Sequence, residues 1–265
     1  MPGPSQITPA QLSHLIGTPD CPALFDVRLP EDIAANPRLI PTSTLCQAQS
    51  IESHAPGLHN RRAVVICHGG RKLSEGAAAL LRLHGAQAET LQGGTEAWAA
   101  ASLPMVPVAA LPSSHNWVTR HRPKIDRIAC PWLIRRFVDP SARFLYVAPA
   151  EVAAVADRFD AIPFDIDGAA FSHNGPDCSF DTMLKTFALS TPALDRLALV
   201  IRAADTDRHN LAPQAAGLLA LSVGLSRLYK DDLQQLEAGL GLYDALYRWA
   251  RDGHEETHDW PASTP

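Results

Sequence analysis

No stretch of the 265-residue sequence approaches the ~18 consecutive apolar residues that a membrane-spanning helix requires. The opening Met1-Pro2-Gly3-Pro4-Ser5 also lacks the basic and apolar regions of a secretory signal, so the expected address is the cytoplasm. Cysteines number only five, at positions 21, 46, 67, 130 and 178, and no two form a CxxC pair. That spacing speaks against a disulfide framework or a structural zinc finger and fits reduced cytosolic thiols. Positive charge is scarce as well: a net charge of −5 argues against direct, broad nucleic-acid binding. What is present is globular composition, 46% hydrophobic and 19% charged, at a length that suits one large domain or two ordinary ones.

One stretch stands out chemically. Val64-Val65-Ile66 is a β-branched run that leads into Cys67, His68, Gly69, Gly70, Arg71 and Lys72, and a helix-forming segment follows. The glycines allow successive N–H groups to turn towards the Cys67 side chain. The next helix adds its positive end, and Arg71 and Lys72 add full charges, so a thiolate or another anion is favoured there. The plainer alternative is a small buried hydrophobic cysteine.

Around this loop, strands and helices alternate. Ile7 to Ile16 predicts a short helix capped by Thr8 with Pro9 in its first turn, and Ala23 to Arg28 a buried strand ending in charge. Leu39-Ile40 is a candidate short strand. Ala63 to Ile66, the helix from Ser74 to His84, the strand Glu89 to Leu91 and the helix Thr95 to Ala100 complete the pattern. Such alternation predicts a parallel α/β sheet with its ligand site at the carboxyl ends of the strands, where Cys67 falls.

The segments FDVR (Phe25 to Arg28), VVICHGGRK, SEGAAALLRLHG and LQGGTEAW (Leu91 to Trp98) resemble a single-domain rhodanese over about residues 5 to 108. The resemblance implies a sulfurtransferase of the thiosulfate type in which Cys67 carries a persulfide. The backbone of residues 68 to 72 would cradle it, and Asp26 and Arg28 would support the loop. No cofactor is implied for sulfur transfer; the partners implied are a small sulfur donor such as thiosulfate and a thiol acceptor. Two departures are visible: Lys72 stands where the family usually has arginine, and only Ile40-Pro41 survives of its HIPGA stretch.

Beyond a proline-rich connector from Leu103 to Pro112 the pattern turns mostly helical. Pro123 to Phe137 predicts a helix that Pro131 kinks or starts; Arg143 to Val147 and Ile162 to Ile166 predict short strands. Further helices are expected over Ser179 to Leu189, over Pro192 to Ala204 and along the face from Leu233 to Tyr247. Gln214 to Tyr229, apolar nearly all round, predicts a central buried helix. The fold expected is thus an α/β rhodanese-like domain over residues 1–108, a linker over 109–116, and a mainly α-helical second domain with a few short strands over 117–265.

DRIACPWLIRRFVDPSARF, FSHNGPDCSFDTML, RAADTDRHNLAPQAAGLLALSVGL and LEAGLGLYDALYRWARD resemble the C-terminal domain of chromate resistance protein B over roughly residues 117 to 252. The resemblance implies a link to chromate resistance and to the regulation of chromate efflux. Within this half, Asp126, His173, Cys178, Asp205, Asp207 and His209 lie at the ends of apolar elements, where carboxylates and imidazoles can converge on a divalent metal; Asp126, His173, Asp205 and Asp207 are the candidate ligands. The simpler account is that Asp205 and Asp207 close a helix and pair with Arg202 or Arg208. Arg127, Arg135 and Arg136 offer charge for an oxyanion or form a solvated face. Cys130 and Cys178 are either sulfur acceptors or inert. His254-Glu255-Glu256-Thr257-His258 fits the HExxH string, but Gly253 and Pro261 bracket it, so a solvated acidic tail is the better account.

The leading expectation is a sulfurtransferase coupled to a chromate-resistance domain. The alternative is a chromate-responsive regulator or chromate-handling redox protein, in which the rhodanese module only binds anions.

Overall fold

Thr8 opens the first helix of the structure, a computed structural model that describes residues 5–256. Its hydroxyl accepts the Gln11 N–H while the Gln11 side chain returns to the Thr8 N–H, a capping box that satisfies two end groups at once. The chain divides into two units. One runs to Ser113 and takes in Ile134–Ser141 and Phe187–Leu189; the other comprises Ser114–Leu133, Ala142–Thr186 and the chain from Ser190 on.

The first unit is built from β1 (Gln6–Ile7), α1 (Pro9–Leu15), β2 (Ala23–Asp26), α2 (Pro30–Ala35), β3 (Arg38–Leu39), β4 (Ser43–Leu45), β5 (Arg62–Ile66), α3 (Leu73–Leu83), β6 (Gln87–Leu91), α4 (Gly94–Ala100) and β7 (Val106–Pro107). Five strands form a parallel sheet in the order β1-β6-β5-β2-β4, and β3 pairs antiparallel with β7 apart from it. β5 is central, and Ala63 to Ile66 are wholly buried, which is why that strand reads as an unbroken apolar run. Ala77, Ala78 and Leu81 of α3 pack against Phe25, Val65 and Ala63 in the core of this unit. The expected α/β alternation is therefore present; β1 and β4, too short to leave a pattern, and α2 were not anticipated.

The second unit comprises β8 (Asn116–Arg120), α5 (Asp126–Leu133), β9 (Arg143–Val147), α6 (Val152–Phe159), β10 (Ala161–Pro163), α7 (Ser179–Thr186), α8 (Pro192–Asp205), α9 (Ala215–Leu228) and α10 (Asp232–Arg248). Its three strands are parallel in the order β10-β8-β9. β8 begins at the last residue assigned above to a linker, and its Trp117, Val118 and Thr119 are buried. α5 keeps Pro131 in its interior. The N–H that proline lacks would have bonded the Arg127 carbonyl, and the Tyr146 hydroxyl donates to that carbonyl instead at 2.9 Å. Trp132 of the same helix packs with Phe180, Tyr243 and Tyr247.

α9 corrects one expectation. It is not a central buried helix: Ala215, Leu218, Ser222 and Ser226 face inward, while Leu221 and Leu228 are 54% and 72% exposed. A helix with apolar residues on nearly every side carries little facial signal, and here two small serines, Ser222 and Ser226, lie on the buried side. Glu255 follows the last turn, and Thr257 and His258 of the HExxH string lie outside the described residues.

Candidate functional site

Cys67 directly follows β5, so the sheet delivers its sulfur to the carboxyl end of the central strand. The chain then curls back on the sulfur. The Arg71 N–H donates to Sγ at 3.3 Å, the Ser74 hydroxyl lies 3.1 Å from it, and Sγ is 3.2 Å from the Arg71 carbonyl. Gly70 has φ of +68°, and a Cβ there would sit 2.5 Å from the Leu91 carbonyl, so the curl admits only glycine. Lys72 holds φ of +33°, a conformation that side-chain-bearing residues rarely adopt, immediately before α3 begins.

The start of α4 pins the loop from below. The Thr95 and Glu96 N–H groups donate to the Cys67 and His68 carbonyls at 3.0 and 3.1 Å. Gly94 makes this possible, since a Cβ would stand 2.2 Å from the Cys67 carbonyl. Glu96 also folds its side chain over the loop, with Oε1 3.4 Å from His68 Nε2. Ser74 and Glu96 are site residues that sequence reasoning did not single out. The spacing of seven residues between Cys67 and a serine in the first turn of the next helix was the signal for Ser74.

Asp26 and Arg28 serve a different place from the one expected. Both side chains are fully buried as an ion pair at 2.9 Å, and the guanidinium donates to the carbonyls of Asn36 and Arg38. They brace the segment between α2 and β3. Between them, the Val27 N–H donates to the carbonyl of Ile66, the residue before Cys67.

In the second unit, Asp126, His173 and Asp205 converge, with ligand atoms within 4.8 Å of one another. Asp165 joins them: His173 Nε2 lies 3.6 Å from Asp126, 3.4 Å from Asp165 and 3.2 Å from Asp205. Asp207 does not belong to this group; its carboxyl is 99% exposed and faces His209. Asp165 escaped sequence reading because it sits within an apparent strand, although the turn-forming Asp167-Gly168 just after it marks a chain bend.

The supports of these carboxylates differ. Asp126 is buried and accepts the N–H groups of Ser179 and Phe180, donors at the start of α7 that have no intrahelical acceptor. Asp165 accepts the Ser179 hydroxyl and faces Arg120 and Arg127. Burial, and then the nearby Asp205 and Asp165 charges, push the Asp126 carboxyl well above the usual range. Asp205 is raised too, chiefly by burial and by Asp165, with His173 opposing. One imidazole nitrogen among carboxylate oxygens is a donor set that suits a hard or borderline divalent cation. Arg202 and Arg208 do not serve Asp205 as the simpler account expected. Arg202 forks onto Asp181, and Arg208 binds the Thr206 hydroxyl and the Pro176 carbonyl.

Cys130 and Cys178 lie beside this group and are completely buried. Burial, and then Asp126, push both thiols up, so they are held protonated and poorly nucleophilic. Nearby, His121, Arg122, Lys124, Arg127, Ser226 and Arg227 line a cavity of about 450 Å³. Arg122 and Arg127 are tethered by carboxylates and backbone carbonyls, whereas His121, Lys124 and Arg227 are exposed at its rim.

Residues 117–250 match the family described as ChrB, C-terminal domain, and residues 8–101 match the family described as Rhodanese-like domain. Among curated proteins, Protein ChrB of Cupriavidus metallidurans is 41% identical over 134 residues, which are 50% of this chain and 40% of that protein, so the match spans less than half of the relative's length. Among solved structures, a rhodanese-related protein from Thermoplasma volcanium is 24% identical, covering 38% of this chain and 96% of that one with a TM-score of 0.33. A rhodanese-like domain protein from Staphylococcus aureus is 25% identical over 36% and 90% of the two chains, TM-score 0.32. A thiosulfate sulfurtransferase from Pseudomonas aeruginosa is 26% identical over 38% of this chain and 19% of its own, TM-score 0.32.

Proposed function

Since the chain belongs to the ChrB C-terminal domain family and carries a rhodanese-like domain ahead of it, we propose that it is a sulfurtransferase coupled to a chromate-resistance module, with Cys67 as the sulfur carrier. The observation that carries this reading is the curl of residues 67 to 74 around one sulfur at the end of the central strand. The Cys67 thiolate attacks the outer sulfur of a donor such as thiosulfate. The Cys67 S–S bond forms, the donor's S–S bond breaks, and sulfite departs with the electron pair, next to Arg71 and Lys72. A thiol acceptor then removes the sulfur. Five free cysteines and no helix long and apolar enough to cross a membrane, among the described residues, support a reducing, cytoplasmic setting.

Intact-protein mass after incubation with thiosulfate tests the reading. The native chain is expected to gain one sulfur that cyanide removes, and Cys67→Ser to gain none. Sulfur transfer at undiminished rate by Cys67→Ser would overturn the assignment.

A second reading, in which the C-terminal unit answers to an oxyanion such as chromate, is favoured by the cavity that His121 lines and whose rim carries the cations Lys124 and Arg227. Chromate or sulfate is expected to raise the thermal midpoint of the native chain and to lose that effect in Lys124→Ala combined with Arg227→Ala. An identical midpoint with and without either anion would end this reading.

A further inference from the structure

Resting on the assignment of Cys67 as sulfur carrier, we propose that its loop selects a zwitterionic sulfur donor, an amino-acid or peptide persulfide that bears both an ammonium and a carboxylate group, and that Glu96 is the residue that selects it. The two halves of the loop carry opposite charge. On the half formed by residues 68 and 69, Glu96 Oε1 faces His68 Nε2, and Glu96 Oε2 comes to 3.4 Å from the point where a Cβ on Gly69 would lie. That distance is an ordinary van der Waals contact, so the carboxylate lies against this part of the loop. On the other half, Arg71 and Lys72 are exposed, and the Arg71 N–H donates to Sγ.

The backbone of Glu96 is anchored to the loop. Its own N–H donates to the His68 carbonyl, so the first turn of α4 fixes its backbone against the loop that holds the sulfur. A small dianion entering this mouth is drawn by Arg71 and Lys72 and repelled by Glu96. A donor with one charge of each sign meets both walls favourably: its carboxylate faces the guanidinium and ammonium, and its ammonium faces Glu96. Sulfur transfer from such a donor is balanced without any oxidant or reductant. The Cys67 thiolate attacks the outer sulfur of R–S–SH, the Cys67 S–S bond forms, the donor's S–S bond breaks, and R–S⁻ leaves with the electron pair, to be protonated by water.

The test follows the rate at which the full chain gains sulfur on Cys67, read by intact mass, from three probes: thiosulfate, cysteine persulfide and 3-mercaptopropionate persulfide, which keeps the carboxylate and lacks the ammonium. The native chain is expected to load faster from cysteine persulfide than from the mercaptopropionate analogue. Glu96→Gln, nearly isosteric at a side chain that is 62% exposed, is expected to load more slowly from cysteine persulfide and faster from thiosulfate. The ratio of the two rates should fall by roughly tenfold, the effect of about one interaction between unit charges at a part-exposed site. Glu96→Asp, which keeps the charge, should recover part of the ratio. Loading with an unchanged ratio in Glu96→Gln would overturn donor selection and leave the sulfurtransferase reading standing. Failure of every probe to load Cys67 would overturn that reading and donor selection with it.

Discussion

In the rhodanese-like unit, Asp26 and Arg28 are both fully buried and answer each other one for one, with the remaining guanidinium donors taken by two backbone carbonyls. In the ChrB-type unit, three aspartates gather around one imidazole, and the two arginines nearby both serve Asp165. The first arrangement is electrically closed, so its task is to hold a segment of chain in place. The second keeps more carboxylate than cation around Asp126 and Asp205, and both carboxyls are raised in consequence of burial and mutual repulsion. Polar groups are buried in both units, and in the second they include a carboxylate and imidazole group whose atoms lie within 4.8 Å of one another and could hold a cation. The cysteines follow the same division: Cys67 is met by an N–H donor and a hydroxyl, Cys130 and Cys178 by carboxylates.

Removing one partner of the closed pair gives the largest expected effect. Arg28→Ala leaves Asp26 as an uncompensated buried charge and frees the Asn36 and Arg38 carbonyls, and it is expected to destabilise the chain by about 3–5 kcal/mol in urea unfolding. A loss below about 1 kcal/mol, the range of exposed pairs, would show that the pair is not the brace described here.

Much of this contrast could be read before any coordinates. The buried β5 run, the glycines after Cys67 and the charged end of β2 all carry local signals, because backbone conformation and strand burial constrain residues that are adjacent in sequence. The partners of those residues carry none. Glu96 reaches Gly69 only because α4 begins beneath the loop, and Asp165 reaches Asp126 only because β10 ends beside β8. His173 and Asp205 were legible as polar residues closing apolar elements, yet so was Asp207, and nothing in sequence distinguishes the carboxyl that turns inward from the one that points to solvent.

A smaller effect tests the open cluster. Because Asp126 is raised in the folded chain above its unfolded value of ~3.9, the folded state binds the extra proton between those two values. Its contribution is therefore full below the unfolded value and is lost as pH rises through the folded one. Asp126→Asn removes that titration while keeping an acceptor for one α7 N–H. The native chain is expected to lose stability, relative to the variant, as pH rises from about 4 towards neutrality. Urea midpoints across that range check it, in chelator, since the same carboxylates are those able to hold a cation. Parallel pH profiles for the two chains would mean that Asp126 stays ionised and that the cluster is as closed as the Asp26–Arg28 pair.

The smallest effect comes from α9, where apolar content and burial part company. Ser222 and Ser226 are buried and Leu228 is 72% exposed, so a ranking by hydrophobicity inverts the ranking by contact. If burial and not residue type governs the energy, Leu228→Lys should change the urea midpoint by no more than about 0.5 kcal/mol in unfolding free energy. Ser222, with 1% exposure, sets the contrast, because a larger side chain there would have to be accommodated in the interior. Asp207 and Asp126 make the same point with one residue type: the carboxyl acquires its role from what surrounds it. A loss of about 2 kcal/mol or more in Leu228→Lys would instead place that leucine under cover and return α9 to the interior that its composition suggests.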